Sequence, residues 1–508
     1  MTLLATSREP IGVPGELTWR VPSLSLADDA IQLFTDRARR ARPDFAVSDD
    51  NAEAVAEICR RLDGMPLAIE LAAARVRALS PAEIVETLHD RFRLLTGGAR
   101  TAVRRQQTLR ASVDWSHALL TPSERTLFRR LAVFLGGFDL DAAEAVTAGG
   151  DVERYQVLDL LTLLVDKSLV VPDDSGAKTR YRLLETVRQY ALEKLGESGE
   201  ADAVRTRHRD HYTALAAPLD AAPDADYERR ITQADTDIDN LRAAFAWSRE
   251  NSDIELAMQL ASSLQPLWRA RGRAREGQAW FDAVLTEHDE ANNPNRARTA
   301  RARALADKAL LGALTGDRAN VEQAEHALAI AREVDDPALL VRTLTACGYI
   351  TGHEPETARP YFAEAIALAQ AQGDRWTLSR IHAWQAYGAI LGAGDPIAAR
   401  AAAVEGLDLA DAIGDRVDSR RCRLWIGFAQ VMHGELSPAA TQFADVRTEA
   451  EAARDGIGTV LALTGLAYAL AYQGDTGAAR TARRDRRYCR GWARRASRKR
   501  RPHRTGVG

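Results

Sequence analysis

Residues 394–434 read GDPIAARAAAVEGLDLADAIGDRVDSRRCRLWIGFAQVMHG, and this stretch contains the clearest structural pattern of the chain. Small apolar residues recur at helical spacing over Ala398–Ala412, which predicts an amphipathic helix rich in alanine. A short polar turn, Gly414-Asp415-Arg416, follows it, and a longer helix with aromatic residues is predicted over Cys422–Met432. The stretch therefore predicts a pair of helices joined by a tight turn, with aromatic residues such as Trp425 packed between helices.

The same pattern returns along the C-terminal part of the chain. Turn glycines lie 40 residues apart at Gly394, Gly434 and Gly474. A series of aspartates follows spacings of 38, 41 and 40 residues: Asp336, Asp374, Asp415 and Asp455. Helix pairs of this kind bury their apolar faces only by stacking on one another. We therefore expect an α-solenoid of helical repeats over residues 216–480, with poorer periodicity over 227–300.

The chain before the repeats is also predicted to be mainly helical. Ser80 and Thr121 each precede a proline and lie three residues before a glutamate, which predicts two capping boxes. Gly64 suits the left-handed end of the helix before it. The clearest strand signals are Ser168–Val171 and residues 179–183, with turn-forming residues between them. Three helices before this hairpin and one after it predict a winged helix.

Two motifs give the chain a family resemblance. The first is Leu4-Ala5-Thr6-Ser7-Arg8-Glu9-Pro10. The second, about 55 residues later, is Leu62-Asp63-Gly64-Met65-Pro66-Leu67-Ala68-Ile69-Glu70-Leu71-Ala72. In this order, and followed by a winged helix, they resemble the STAND class of signalling ATPases (the NB-ARC group). The resemblance extends to the actinobacterial LuxR-type transcriptional regulators, which join such an ATPase to tetratricopeptide-like repeats.

The resemblance divides the chain into five segments. It implies the remnant end of a nucleotide-binding α/β domain over residues 1–22 and a helical (ARC-type) lid subdomain over 23–103. A winged-helix domain over 104–215, the tetratricopeptide-like repeats over 216–480 and a basic, disordered tail over 481–508 follow. The expected fold class is therefore mainly α, with a helical lid subdomain and a winged helix followed by an α-solenoid.

The resemblance also implies which residues contact a nucleotide, which is ATP or ADP in the intact family. The arginine that matches Arg8, next to Thr6 and Ser7, is a sensor of the terminal phosphate, a role suited to a fixed charge with a planar donor fork. The proline that matches Pro66, close to Gly64, lies against the adenine and offers an apolar ring without an N–H group. Taken alone, the first motif reads as a solvated loop and the second as a turn between helices.

The chain departs from the family in the parts that perform catalysis. No Gly-x-x-x-x-Gly-Lys-[Ser/Thr] loop occurs to bind phosphates. The acidic strand that holds Mg²⁺ should precede Arg8, where only seven residues are present. We therefore expect an incomplete ATPase that begins near the middle of its domain. It would have no catalytic or metal-binding residues, would not be an enzyme alone and would bind no nucleotide tightly. The family's Met-His-Asp motif aligns with Leu183, Leu184 and Glu185, so its histidine is absent.

The sequence gives little indication of DNA or membrane binding. The predicted third helix of the winged helix, Tyr155–Asp166, contains no lysine or arginine to contact phosphates, so we expect it to pack against protein. In LuxR-type relatives DNA is bound by a helix-turn-helix beyond the repeats, which this chain lacks. No apolar run reaches 18 residues, no signal peptide is recognisable and the four cysteines are far apart. These features favour a cytoplasmic protein without membrane contact.

The C-terminal tail is strongly basic although the whole chain has a net charge of −3. From Arg480 to Gly508 there are 13 lysines or arginines and one acidic residue. Three interpretations stay open: a change of reading frame in GC-rich DNA, a solvated tail without function, and an arm that binds nucleic acid through counterion release. The first is favoured because a repeat helix begins near Ala478 and no partner helix follows it.

Three functional hypotheses follow. In the first, the chain is a regulatory fragment of a STAND-type transcriptional regulator, with nucleotide-gated switch elements and repeats that bind a protein or a small-ligand effector. Self-association is a further expected property of such a fragment. In the second, the chain is a stand-alone helical-repeat scaffold that binds protein without nucleotide or DNA activity. In the third, another chain supplies the missing half of a working ATPase.

Overall fold

The computed structural model describes residues 28–88, 109–174, 178–224, 226–286, 295–315 and 320–482, with scattered positions between 5 and 26. The chain divides into two compact units, Met1–His211 and Tyr212–Gly508. Helices dominate both units, and the sheet found in the described residues has two strands. No described helix combines the length and the apolar character that a membrane span requires. The basic tail from residue 483 onward lies outside the described residues.

The first unit begins with the helical subdomain that the sequence predicts as a lid. Its helices are α1 (Asp29–Ala41), α2 (Ala52–Arg61), α3 (Pro66–Ala73) and α4 (Pro81–Thr87). Each helix contributes a fully buried side chain to one core: Phe34, Ile58, Ile69 and Ile84. Burying an apolar side chain of this size contributes about 1.5–3 kcal/mol. The capping box at Ser80 is confirmed, because the Ser80 hydroxyl accepts the Glu83 N–H and the Glu83 carboxylate accepts the Ser80 N–H at 2.7 Å.

The winged helix follows in the same unit. Its elements are α5 (Leu109–Ala118), α6 (Pro122–Arg130), α7 (Leu140–Thr147), α8 (Val157–Asp166), β1 (Val171–Asp173), β2 (Arg180–Arg182) and α9 (Glu185–Ser198), and the next helix, α10 (Ala201–Ala216), extends past the end of this unit at His211. Strands β1 and β2 are antiparallel, with Pro172 opposite Tyr181. The Phe138 N–H donates to the Tyr181 carbonyl at 2.9 Å and so attaches the chain before α7 to the hairpin. The capping box at Thr121 is confirmed at the start of α6.

The first strand of the hairpin begins later than the sequence predicts. The prediction was Ser168–Val171, whereas β1 spans Val171–Asp173. Ser168 has a left-handed backbone with φ of 59°, which ends the helix before it. The N–H groups of Leu169 and Val170 then donate back to the Leu164 carbonyl at 3.0 and 3.3 Å. These β-forming residues therefore complete the end of α8 instead of pairing with a strand.

The second unit is the predicted array of paired helices. Its helices are α11 (Tyr227–Thr236), α12 (Ile238–Glu250), α13 (Ile254–Ser263), α14 (Gln265–Ala270), α15 (Ala274–Thr286), α16 (Asn295–Thr315), α17 (Val321–Val334), α18 (Pro337–Ile350), α19 (Pro355–Gln372), α20 (Arg375–Gly388), α21 (Pro396–Ile413), α22 (Arg416–His433), α23 (Leu436–Ala452) and α24 (Gly456–Tyr472). One hydrophobic core runs from Ala302 to Ile426, and a second surrounds Phe443. Stacking of neighbours therefore buries a continuous apolar core, as expected for a solenoid.

The second helix of the quoted repeat is longer than predicted. It starts at Arg416, not near Cys422, because Asp415 caps it: one Asp415 carboxylate oxygen accepts the N–H groups of Val417 and Asp418 at 2.9 and 3.0 Å. The packing role predicted for Trp425 is confirmed, since its ring is buried and lies 5.3 Å from that of Tyr387.

Candidate functional site

The residues predicted to contact a nucleotide fall in two places. Thr6, Ser7 and Arg8 lie outside the described residues. Gly64 and Pro66 lie between α2 and α3, with Pro66 as the first residue of α3. Gly64 has the predicted left-handed backbone, with φ of 66°. A Cβ at this position would also come within 2.5 Å of the Leu24 carbonyl oxygen, so both conformation and space require glycine here.

A groove of about 360 Å³ lies beside Pro66. The residues that line it are Leu24, Asp29, Gln32, Leu33, Asp36, Pro66 and Glu70. Its leucine and proline surfaces suit the face of a purine ring, and its amide and carboxylate oxygens could accept hydrogen bonds from an amino group. None of these lining residues is basic, and three are acidic. The described lining of the groove therefore offers apolar surface and hydrogen-bond acceptors but no cationic group.

Asp63, the residue before Gly64, joins the lid to the winged helix. Its Oδ2 accepts the N–H of Glu185, the first residue of α9, at 2.8 Å. Its Oδ1 lies 3.7 Å from Nη1 of Arg182. A carboxylate at the start of a helix accepts a hydrogen bond from an N–H group that has no partner within the helix. Its negative charge is also attracted to the positive end of the helix dipole. This contact could not be predicted from the sequence, because the two partners are 122 residues apart and no local pattern marks the pair.

The third helix of the winged helix, α8, presents little positive charge. The two basic residues beside it are engaged with acids: Lys167 Nζ pairs with Glu124, and Arg154 Nε lies 2.8 Å from Glu144. The exposed surface of the helix includes the apolar side chain of Leu158. DNA phosphates attract free lysine and arginine side chains, and these two basic residues are both paired.

A second group of polar residues lies within the repeat unit. Arg269 Nη2 is 2.9 Å from Asp418 Oδ1, and Arg420 Nη1 is 2.9 Å from Glu228 Oε1. Burial, together with the neighbouring Asp418 carboxylate, raises the pKa of Asp415 to about 7. Charged side chains from the beginning and the end of the array therefore meet in one interior region. Among the described residues, no three His, Cys, Asp or Glu side chains are grouped to hold a metal ion.

The relatives of the chain are consistent with this architecture. A family model described as "Winged helix-turn-helix domain" matches residues 120–196. The chain is 58% identical over 483 residues to the "Putative HTH-type transcriptional regulator Rv0890c" of Mycobacterium tuberculosis, covering 94% of this chain and 54% of the relative. It is 63% identical over 212 residues to the "Uncharacterized protein Rv0894" of the same organism, covering 42% of this chain and 54% of the relative. The chain thus spans about half the length of the curated relatives it matches.

A solved structure aligns with most of the chain at low sequence identity. PH0952 of Pyrococcus horikoshii, a Signal Transduction ATPase with Numerous Domains (STAND) protein with a tetratricopeptide repeat sensor, is 14% identical to this chain. The match covers 94% of this chain and 74% of that chain, with a TM-score of 0.35. At this TM-score the likeness carries no conclusion about function.

Proposed function

We propose that the chain is the switch-and-sensor portion of a STAND-type transcriptional regulator and acts in the cytoplasm. The observation that carries the proposal is the contact of Asp63 with Glu185, which ties the Gly-Met-Pro motif of the lid to the winged helix. The similarity to an HTH-type transcriptional regulator over 94% of the chain supports it. Because the chain spans about half of that relative, regulation of transcription by the whole protein is part of the proposal.

The proposed switch has two states. In the resting state Asp63 holds the winged helix against the lid through the Glu185 N–H and the Arg182 guanidinium. An effector bound on the repeats favours a second state in which this contact is broken, and the released surfaces then self-associate. ATP or ADP in a complete nucleotide site would bias the same equilibrium. In this scheme the chain alone performs no hydrolysis, because the described residues that line the groove beside Pro66 include no cationic partner for phosphates.

The switch is tested by Asp63→Ala in the full chain. We expect this variant to self-associate in multi-angle light scattering and to change transcript levels in cells of the organism that encodes it. Ser80→Ala is the matched control, since it removes a helix cap of the same kind that lies wholly within the lid. Wild-type self-association and wild-type transcript levels in Asp63→Ala would contradict the proposed switch.

The incomplete nucleotide site is tested separately by titrating the purified chain with a fluorescent ATP analogue. We expect no binding in the micromolar range. Micromolar affinity would contradict the proposal and favour a site that uses residues outside the described ones. If nucleotide does not bind and Asp63→Ala also leaves transcripts unchanged, the chain is better explained as a stand-alone scaffold that binds protein through its repeats.

A further inference from the structure

Arginines occupy equivalent positions in three successive repeats. The second helix of each repeat follows a capping aspartate, which is Asp336 for α18, Asp374 for α20 and Asp415 for α22. An arginine lies six residues after each of these caps: Arg342, Arg380 and Arg421. Because the helices are paired in the same way in each repeat, these side chains can be compared directly.

Two of the three arginines are neutralised by acids. Arg342 donates to Asp307 from Nε and Nη2 at 2.7 and 2.9 Å, and its Nη1 donates to Asp220 at 3.0 Å. Arg421 Nη2 lies 3.0 Å from Oδ1 of Asp455, the capping aspartate of the next helix. Arg421 is buried and Arg342 is partly buried, and each guanidinium has at least one carboxylate against it, as a charge removed from water requires.

Arg380 has no such partner. Its guanidinium lies over the ring of Trp376, 4.8 Å from the ring centroid, and no acidic side chain of the described residues is within 4.0 Å of it. The acid that corresponds to the partner of Arg421 is Asp415. The carboxylate of Asp415 instead accepts the Trp376 indole N–H at 3.1 Å and the N–H groups at the start of α22. Arg380 is half-buried, so solvent reaches it without surrounding it.

The acidic residues around Arg380 do not neutralise its positive charge. Asp418 is already paired with Arg269 at 2.9 Å, and Asp220 is paired with Arg342. Burial and the neighbouring Asp418 carboxylate raise the pKa of Asp415, which weakens it as a counter-charge. Burial and then the nearby Arg269 lower the pKa of Arg380, which is the direction expected for a cation with too little negative charge around it. An anion placed here would therefore meet an unopposed positive charge.

We propose that Arg380 and Trp376 anchor an anionic ligand that presents a carboxylate or a phosphate to the repeats. A guanidinium binds either group through two parallel hydrogen bonds, and the indole ring holds its plane in position. In the next repeat, Arg421 is already paired with Asp455 and is not part of the proposed site. This inference rests on the proposed function, in which the repeats are the sensing surface, and it names the chemical class of the effector.

The test is binding of simple anions to the full chain. Inorganic phosphate and succinate are titrated by calorimetry and compared with chloride at the same ionic strength. We expect the wild type to bind one of them and Arg380→Gln to bind it roughly 10- to 100-fold more weakly, the range for loss of a charged hydrogen-bonding partner. Arg375→Gln, an exposed arginine on the same helix, should bind as the wild type does. Binding of phosphate alone identifies a phosphate ligand, and binding of succinate alone identifies a carboxylate.

The proposal is overturned if the wild type binds neither anion, or if Arg380→Gln binds as tightly as the wild type. Thermal unfolding separates a ligand anchor from a structural residue. Arg380→Gln should unfold at or above the wild-type temperature because it removes an uncompensated charge, whereas Arg342→Gln should unfold at a lower temperature because it leaves Asp307 unpaired. A melting temperature for Arg380→Gln as low as that of Arg342→Gln would also overturn the proposal. Anion binding at Arg380 without any transcript change in Asp63→Ala would contradict only the proposed function.

Discussion

Asp63 is the residue on which the proposed switch depends. Its left-handed backbone, with φ of 53°, turns its carboxylate toward the first N–H group of α9. Asp63→Ala removes this cap, which costs about 1–2 kcal/mol in comparable helices. We expect faster hydrogen exchange at the Glu185 amide and a lower unfolding temperature for the first unit. Asp63→Asn keeps an acceptor and tolerates the left-handed backbone, so its effect should be smaller. Unchanged protection of the Glu185 amide in Asp63→Ala would show that the contact does not hold the two parts together.

The roles of some single residues could be predicted from neighbouring sequence, and the roles of others could not. The turn at Gly64 and the cap at Ser80 were predicted because each depends on a few neighbouring residues. The partners of Asp63 and Arg342 could not be predicted, because they lie far away in the sequence. Asp63 accepts a backbone N–H group, and Arg342 donates to a carboxylate, 122 residues distant in each case. For the same reason the sequence shows that Arg342, Arg380 and Arg421 share one position in the repeat but not which of them lacks an acid.

At the scale of helices, close packing in the last repeats depends on glycine. Gly427 on α22 faces the buried ring of Phe443 on α23, and a Cβ at this position would lie 2.8 Å from its Cζ atom. Gly427→Ala should therefore lower the free energy of unfolding by about 1–3 kcal/mol through overpacking. Gly196→Ala is the matched control on α9: no atom lies within 4 Å of the added Cβ, so it should stabilise by up to about 1 kcal/mol. Chemical denaturation measures both changes.

A compensating substitution tests whether contact with Phe443 causes the loss of stability in Gly427→Ala. Phe443→Leu shortens the side chain opposite Gly427, so combining it with Gly427→Ala should cost less than the sum of the two single changes. Strict additivity of the two changes in unfolding free energy would exclude contact with Phe443 as the source of the lost stability.

The existence of these helices was predictable from the hydrophobic period and the capping residues, whereas the start of the hairpin strand was not predicted correctly at Ser168. There a left-handed residue and two hydrogen bonds to Leu164 override the β preference of Leu169 and Val170.

At the scale of the whole repeat unit, helices of its last repeats contact its first helices. Arg269 on α14 pairs with Asp418 on α22, 149 residues later, and both side chains are buried. Arg271 also donates from Nη1 to the Ala453 carbonyl at 2.7 Å. The 40-residue period of the sequence predicts stacking of neighbours but contains no information about which distant repeats meet. These contacts between the first and the last helices of the array could therefore not be predicted from the sequence.

The contribution of this long-range contact is measured by a double-mutant cycle. Asp418→Ala leaves the Arg269 guanidinium buried without a counterion, so it should lower the free energy of unfolding by about 3–5 kcal/mol, and Arg269→Ala should cost a similar amount. The double variant, Arg269→Ala with Asp418→Ala, leaves neither charge buried alone and should therefore cost clearly less than the sum of the two single losses. The exposed pair Arg400 and Glu435 provides the control cycle, with a coupling energy of at most about 1 kcal/mol. If the losses at Arg269 and Asp418 simply add, the two ends of the array are held together by apolar packing and not by this ion pair.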